Sequence, residues 1–197
     1  MQGGLATTIY RISIAVGRYS DGFTTSFTGY YGYMRGFKIL RDKVLAHINQ
    51  YDSEGVEKLN GVLRIPIRVW GSPQATVNIA CIDYLCDVIL ELAKRSRSIG
   101  QTFHVVNPTP PRYGWLLETG LKVLKIDGAK VVAPRESIHA KGNGGNGLER
   151  KINRAISYYQ NYVSGEPIFD NQNVREVLGE IPPHPPVDEK LVGTLLT

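Results

Sequence analysis

Residues Ala6 to Gly17, ATTIYRISIAVG, constrain this chain more than any other stretch. β-branched and apolar side chains occupy both alternating faces, which is how a strand covered on both sides by helices reads. The run predicts a central parallel strand.

The elements that follow alternate in type. From Tyr30 to Ile48, the positions Tyr30, Met34, Phe37, Leu40, Val44, Leu45 and Ile48 recur at three and four residues, so one face of a helix is expected to be buried. Tyr51 to Gly61 reads as a polar connection, and short β-like pieces follow at Val62–Trp70 and Thr76–Cys81 around the turn Gly71-Ser72-Pro73. Asp83 is placed to cap a helix from Tyr84 to Arg95, with Leu85, Val88, Ile89 and Leu92 as its apolar stripe. A strand at Thr102–Val106, a rigid Asn-Pro-Thr-Pro-Pro turn and a helix from Tyr113 to Leu124, packed through Trp115, Leu116, Leu121 and Leu124, complete an α/β order. Beyond them are expected a strand near Ala129–Ala133, a helix from Leu148 to about Val163, and two helical pieces near Asn173–Leu178 and Asp188–Leu196.

Composition narrows the function classes. At 197 residues, with 42% hydrophobic and 21% charged content, the chain is ordinary globular material for one domain with its own core. Twenty-three Lys and Arg against 18 Asp and Glu give +5, but the basic residues are scattered, as on a solvated surface rather than a nucleic-acid face. No apolar run reaches the length of a membrane span, and Met1-Gln2-Gly3-Gly4 leads straight into the β-like run rather than a signal peptide, so a cytoplasmic protein is expected. Cys81 and Cys86, with four dispersed histidines, do not make a metal site; both thiols are expected to be buried small hydrophobes.

Four segments carry a resemblance: TIYRISIAVGRYSDGFTTSFTGYYGYMRGF from Thr8 to Phe37, VNIACIDYLCDVILELA from Val77 to Ala93, FHVVNPTPP from Phe103 to Pro111 and, more weakly, FDNQNVREVLG from Phe169 to Gly179. In order and spacing they resemble the C-terminal part of an extended short-chain dehydrogenase/reductase. Within that superfamily the look is of thioester and fatty-acyl reductases, the male sterility type of NAD-binding domain. Ile12 and Cys81 stand where the family usually or often has Pro, which leaves the backbone there less rigid.

What the resemblance implies is the last part of a Rossmann-like NAD(P)-binding fold, residues 1–61 and 84–128, with a small mixed α/β substrate-binding subdomain, residues 62–83 and 129–197. It implies an oxidoreductase using NADP or NAD, reducing an acyl thioester held on a carrier protein or coenzyme A to an aldehyde or alcohol. Cofactor-side residues would be Arg11, Ile12, Ser13 and Ile14; substrate-side residues would be Phe27, Tyr30, Tyr31 and Asn78. The aromatic run from Phe23 to Phe37 fits a hydrophobic pocket, although Tyr30 and Tyr31 are not expected both to face inward.

No catalytic residue is expected within the chain. The family's proton donor is a Tyr followed four residues on by Lys, and no Tyr here has Lys at that spacing. Gly142-Asn143-Gly144-Gly145-Asn146-Gly147 spells G-x-G-x-x-G, but no strand leads directly into it, so it reads as an Asn/Gly loop rather than a nucleotide clamp. The chain alone is therefore expected to be inactive, with the N-terminal Rossmann half, or a second copy of itself, as partner. The alternatives are a non-catalytic ligand- or partner-binding module derived from the same fold, and a nucleotide-sugar epimerase- or dehydratase-like reductase.

Overall fold

A computed structural model describes residues 5–133 and 147–197. The chain opens with strands β1 (Ile9–Ile12) and β2 (Ile14–Val16), then helix α1 (Tyr30–Ala46) and a 3-10 segment, Ile48–Glu54. Four short strands follow, β3 (Glu57–Leu59), β4 (Val62–Arg64), β5 (Arg68–Trp70) and β6 (Ile79–Cys81), and then α2 (Ile82–Ala93). The second half contains β7 (Thr102–Val105), α3 (Tyr113–Val123), β8 (Ile126–Asp127), β9 (Lys130–Val132), α4 (Gly147–Ala155), α5 (Gln160–Ser164), α6 (Gln172–Leu178) and α7 (Glu189–Leu196).

The run expected to be a single central strand is divided at Ser13 into two strands with different partners. β1 pairs in parallel with β7, Ile9 opposite Thr102 through Ile12 opposite Val105, and β2 pairs in parallel with β6, Ile14 opposite Ile79 through Val16 opposite Cys81. The exchange happens at Ser13: its N–H donates to Val105 O at 3.3 Å, and the next amide, Ile14, donates to Asn78 O at 3.1 Å. Among the described residues β1 has no strand beyond β7, and Ile9 and Ile12 remain 53% and 49% exposed. Of this run only Val16 and Gly17 are fully buried, so the two-sided cover that the apolar pattern calls for is present at its carboxyl end and absent at its start.

Two cores hold the fold. α2 lays Tyr84, Leu85, Val88 and Leu92 against Ala80, Phe103 and Val105, with Val174 of α6 closing the far side. α1 buries Met34, Phe37, Leu40 and Val44 in the larger core with β4, β5, α3, α4 and α7. Each such side chain contributes roughly 1.5–3 kcal/mol on leaving water.

Several local expectations are corrected. Asn60 and Gly61, with φ of 49° and 78°, form a two-residue turn joining β3 antiparallel to β4 inside the stretch expected as a polar connection; positive φ at both turn positions matches the right-handed strand twist. The helix from Leu148 to Val163 is broken: after α4, Ile156 leaves helical geometry and a 3-10 turn, Ser157–Tyr159, precedes α5. α2 starts at Ile82 directly off β6, with Cys81 at the N-cap and no side-chain cap, so Asp83 lies inside the first turn and does not cap it. Trp115 is 36% exposed rather than packed, and Cys86 is exposed while Cys81 is buried, because α2 turns Cys86 away from the sheet.

The Gly142 to Gly147 loop lies outside the described residues except for Gly147, which begins α4. Among the described residues no helix is long and apolar enough to cross a membrane.

Candidate functional site

The carboxyl end of β2 feeds a loop that is tied on three sides. Gly17 N–H donates to the Tyr31 hydroxyl at 2.8 Å, Arg18 and Phe23 close a turn by an N–H to O bond of 3.1 Å, and Tyr19 N–H lies 3.3 and 3.4 Å from the two carboxylate oxygens of Asp83. Asp83, read from sequence as a cap, therefore fixes the loop after the strand. A Cβ on Gly17 would sit 2.2 Å from Gly22 O, so only glycine permits this close return of the backbone.

This loop, the first turn of α1, the middle of α3 and the Tyr158–Val163 segment enclose a cavity of about 640 Å³. It sits at the carboxyl ends of the parallel strands β2 and β6, where open α/β sheets place their ligands. Ile14, Val16, Val77, Leu116, Leu117 and Val163 give it an apolar wall. Thr24, Thr25, Ser26 and Thr28 supply hydroxyls, with Thr24 and Ser26 already bonded to each other's backbone or side chain at 3.0 and 3.2 Å. Tyr158, 83% exposed, and Tyr162 stand at the rim.

Within the wall, Tyr33 of α1 and Tyr113 of α3 meet hydroxyl to hydroxyl. The Tyr33 ring is held edge-on by Phe37, Tyr113 and Tyr159, with centroids 5.5, 6.2 and 5.6 Å away. Burial pushes the Tyr113 hydroxyl up to about 12, against a partial opposing effect of its bond with Tyr33. Burial also holds Tyr33 well above its ordinary value, reinforced by Tyr113 beside it. Both phenols are thus neutral hydrogen-bonding groups, not bases, at physiological pH.

The structure gathers only some of the residues singled out from sequence. Ile14 and Tyr30 line the cavity, whereas Phe27 is exposed and packs edge-on against Tyr31 at 5.7 Å, and Tyr31 is spent on Gly17. Tyr30 and Tyr31 are both buried, correcting the expectation that only one could be, because α1 is covered on two sides at its start. The Tyr30 hydroxyl is turned from the cavity toward α3: a Cβ on Gly120 would lie 2.9 Å from it. It has no hydrogen-bond partner among the described residues, nor has the buried Ser13 hydroxyl.

Asn78 lies apart from this cavity. Its Nδ2 donates to Asn107 O at 3.0 Å and its Oδ1 accepts from Asn107 N–H at 2.9 Å, fixing β6 to the end of β7. It borders a second, more polar cavity of about 550 Å³ with Glu166, whose carboxyl is raised by burial despite bonds from Asn78 N–H and the Thr76 side chain. Arg11 and Ile12 are exposed on β1, with Ser13 at the exchange point. Among the described residues, no three His, Cys, Asp or Glu side chains gather as metal ligands would. Sequence reasoning missed Tyr113, Tyr159 and Val163 as wall residues; the break at Ile156 turns the last two inward and leaves no periodic signal.

No protein-family model matches the chain, and no curated protein sequence matches it. Among solved structures it is similar to the terminal R domain from the myxalamid PKS-NRPS biosynthetic pathway, with a TM-score of 0.58 at 20% identity over 98% of this chain and 43% of that one. It is also similar to a thiolation-reductase di-domain from an archaeal non-ribosomal peptide synthetase, with a TM-score of 0.55 at 17% identity over 98% of this chain and 35% of that one. The likeness shows the fold, mixed α/β and the C-terminal part of a Rossmann-like architecture, as the resemblance to extended short-chain reductases implies. The chain spans less than half the length of either.

Proposed function

We propose that the chain is the substrate-side portion of an NAD(P)H-dependent oxidoreductase of the thioester reductase kind, and that the 640 Å³ cavity receives the acyl chain. The observation that carries this reading is the cavity itself, apolar in its wall, dotted with hydroxyls and set at the carboxyl ends of parallel strands. Of the two similar structures, one is a terminal R domain and the other a thiolation-reductase di-domain.

The exposed face of β1 and Ser13 is where a nicotinamide fits best: Ser13 brings a buried hydroxyl without a partner, and Ile12 an apolar surface half open to solvent. A reduced nicotinamide held there, NADPH or NADH, would supply the hydride for the thioester carbon. This chain's residues bind the acyl tail, orient the carbonyl toward β1 and exclude water through the rim tyrosines. The Tyr/Lys proton donor and the Gly-rich clamp come from the partner that covers β1, an N-terminal Rossmann half. Expulsion of the thiol then leaves an aldehyde.

A second reading is ligand binding without catalysis, carried by the same apolar cavity with its hydroxyls. The coding region upstream of Met1 separates the two. A contiguous frame with a Gly-rich strand-to-helix turn and a Tyr/Lys pair supports the reductase, and that longer polypeptide is expected to oxidise NAD(P)H only with an acyl thioester present. The pocket is tested on this chain directly. Ala15→Phe, at a solvent-reached wall position, is expected to weaken binding of a decanoyl N-acetylcysteamine thioester at least about tenfold while the thermal midpoint stays put. Unchanged affinity refutes the cavity as the acyl site.

A further inference from the structure

The Tyr33–Tyr113 pair has one hydrogen left over. Two phenols carry two O–H hydrogens, and their single mutual contact uses one; neither hydroxyl has another partner among the described residues. Both tyrosines are buried and line the cavity with Val77, Leu116, Leu117 and Val163, so the remaining hydrogen can be offered to a molecule that occupies it. A buried donor without an acceptor is costly, and a ligand that supplies the acceptor recovers that cost. We propose that the Tyr33 and Tyr113 hydroxyls select a substrate whose acyl chain carries a hydrogen-bond-accepting oxygen, a ketone or hydroxyl, part-way along its length. This rests on the acyl-pocket reading above and narrows it from any acyl chain to an oxygenated one.

The geometry suits selection better than proton transfer. Tyr113 is braced by Gly71, where a Cβ would come within 2.5 Å of its ring, and Tyr33 by three aromatic neighbours, so both rings are held in place. Burial keeps both protonated, so the spare hydrogen is available throughout the neutral range. A pocket arranged to hydrogen-bond a polar group rejects the analogue that lacks it far better than an apolar pocket rejects a missing methylene.

The test uses this full chain and defined probes: the N-acetylcysteamine thioester of decanoic acid, and its mono-oxo derivatives with the ketone at each odd carbon from the third to the ninth. Affinities are measured by calorimetry on the wild type and on Tyr33→Phe/Tyr113→Phe, which removes both hydroxyls with little change of shape. One oxo isomer is expected to bind about ten- to a hundredfold tighter than the decanoyl thioester, and in the double variant the ratio of those two affinities is expected to fall to about one. With a carbon-13 label at the ketone, its infrared stretch is expected at lower frequency in the wild type than in the double variant, which a merely structural role would not produce. Single Phe variants, each keeping one donor, check that the fold tolerates the change through an unaltered thermal midpoint. Decanoyl binding with no oxo preference, or a preference that survives in the double variant, overturns the tyrosine inference alone. Failure of every thioester to bind overturns the acyl-pocket reading together with it.

Discussion

Truncating Asn107 to Ala probes the joint that sets the two parallel strand pairs beside each other. Asn107 is 1% exposed; its Nδ2 donates to Ile79 O at 3.1 Å and its Oδ1 accepts from Thr109 N–H at 2.9 Å. Its backbone bonds to the Asn78 side chain survive the change, so two good bonds are lost. Two net bonds are worth about 2 kcal/mol, and the Ile79 carbonyl, in a residue with no exposure, is stranded at a further 1 kcal/mol or so. A loss of about 2–4 kcal/mol is expected, a fall of roughly 5–15 °C in melting temperature for a chain of this size. In urea, with a slope of about 2 kcal/mol per molar, the midpoint is expected to drop by roughly 1–2 M at unchanged slope. Asn78→Ala breaks the reciprocal half of the joint, and because the residues touch, the double variant should cost less than the sum. A loss below about 0.5 kcal/mol for Asn107→Ala, or strict additivity with Asn78→Ala, refutes the view that this pair joins the sheets.

Three further outcomes follow from other parts of the structure. A native thiol titration should find Cys86 reacting at once and Cys81 only on unfolding, since burial, helped by the Asp83 charge, pushes the Cys81 thiol from 9.0 up to about 12; two fast thiols would contradict this. Folded-state values raised at Cys81 and Tyr113 stabilise the fold fully below the unfolded values and are lost as pH rises through the folded ones. Unfolding free energy should therefore decline between about pH 9 and 12, less steeply in Tyr113→Phe, and a flat profile there would be inconsistent with those shifts. Gly17→Ala should destabilise by about 2 kcal/mol or more, because the added carbon meets the Gly22 carbonyl at 2.2 Å and backbone cannot move aside as a side chain can; a melting temperature within about a degree of wild type would show the loop free to open.

What the chain's sequence determined by itself is its local periodicity. The two-faced apolar run from Ala6 to Gly17 reads as a central parallel strand, and the stripe of Leu85, Val88, Ile89 and Leu92 as a helix with one buried face; the parallel pairing and the buried helix face are present, while the start of the strand lies exposed. Asn60-Gly61 carries a hairpin signal in two adjacent residues, but the reading of Tyr51 to Gly61 as a polar connection passed over it. Asp83 shows where local reading stops: its spacing suits a cap, but the helix begins one residue before it, and the loop that its carboxylate holds comes from Tyr19, 64 residues away. The cavity is the extreme case. Tyr33 and Tyr113 are 80 residues apart, and the helix break that brings Tyr159 to them follows no pattern in its own segment. Periodicity states that a face must be buried, because water rejects it, but not against which other face; that choice is settled only when distant segments close on one another, and the tyrosine pair exists only there.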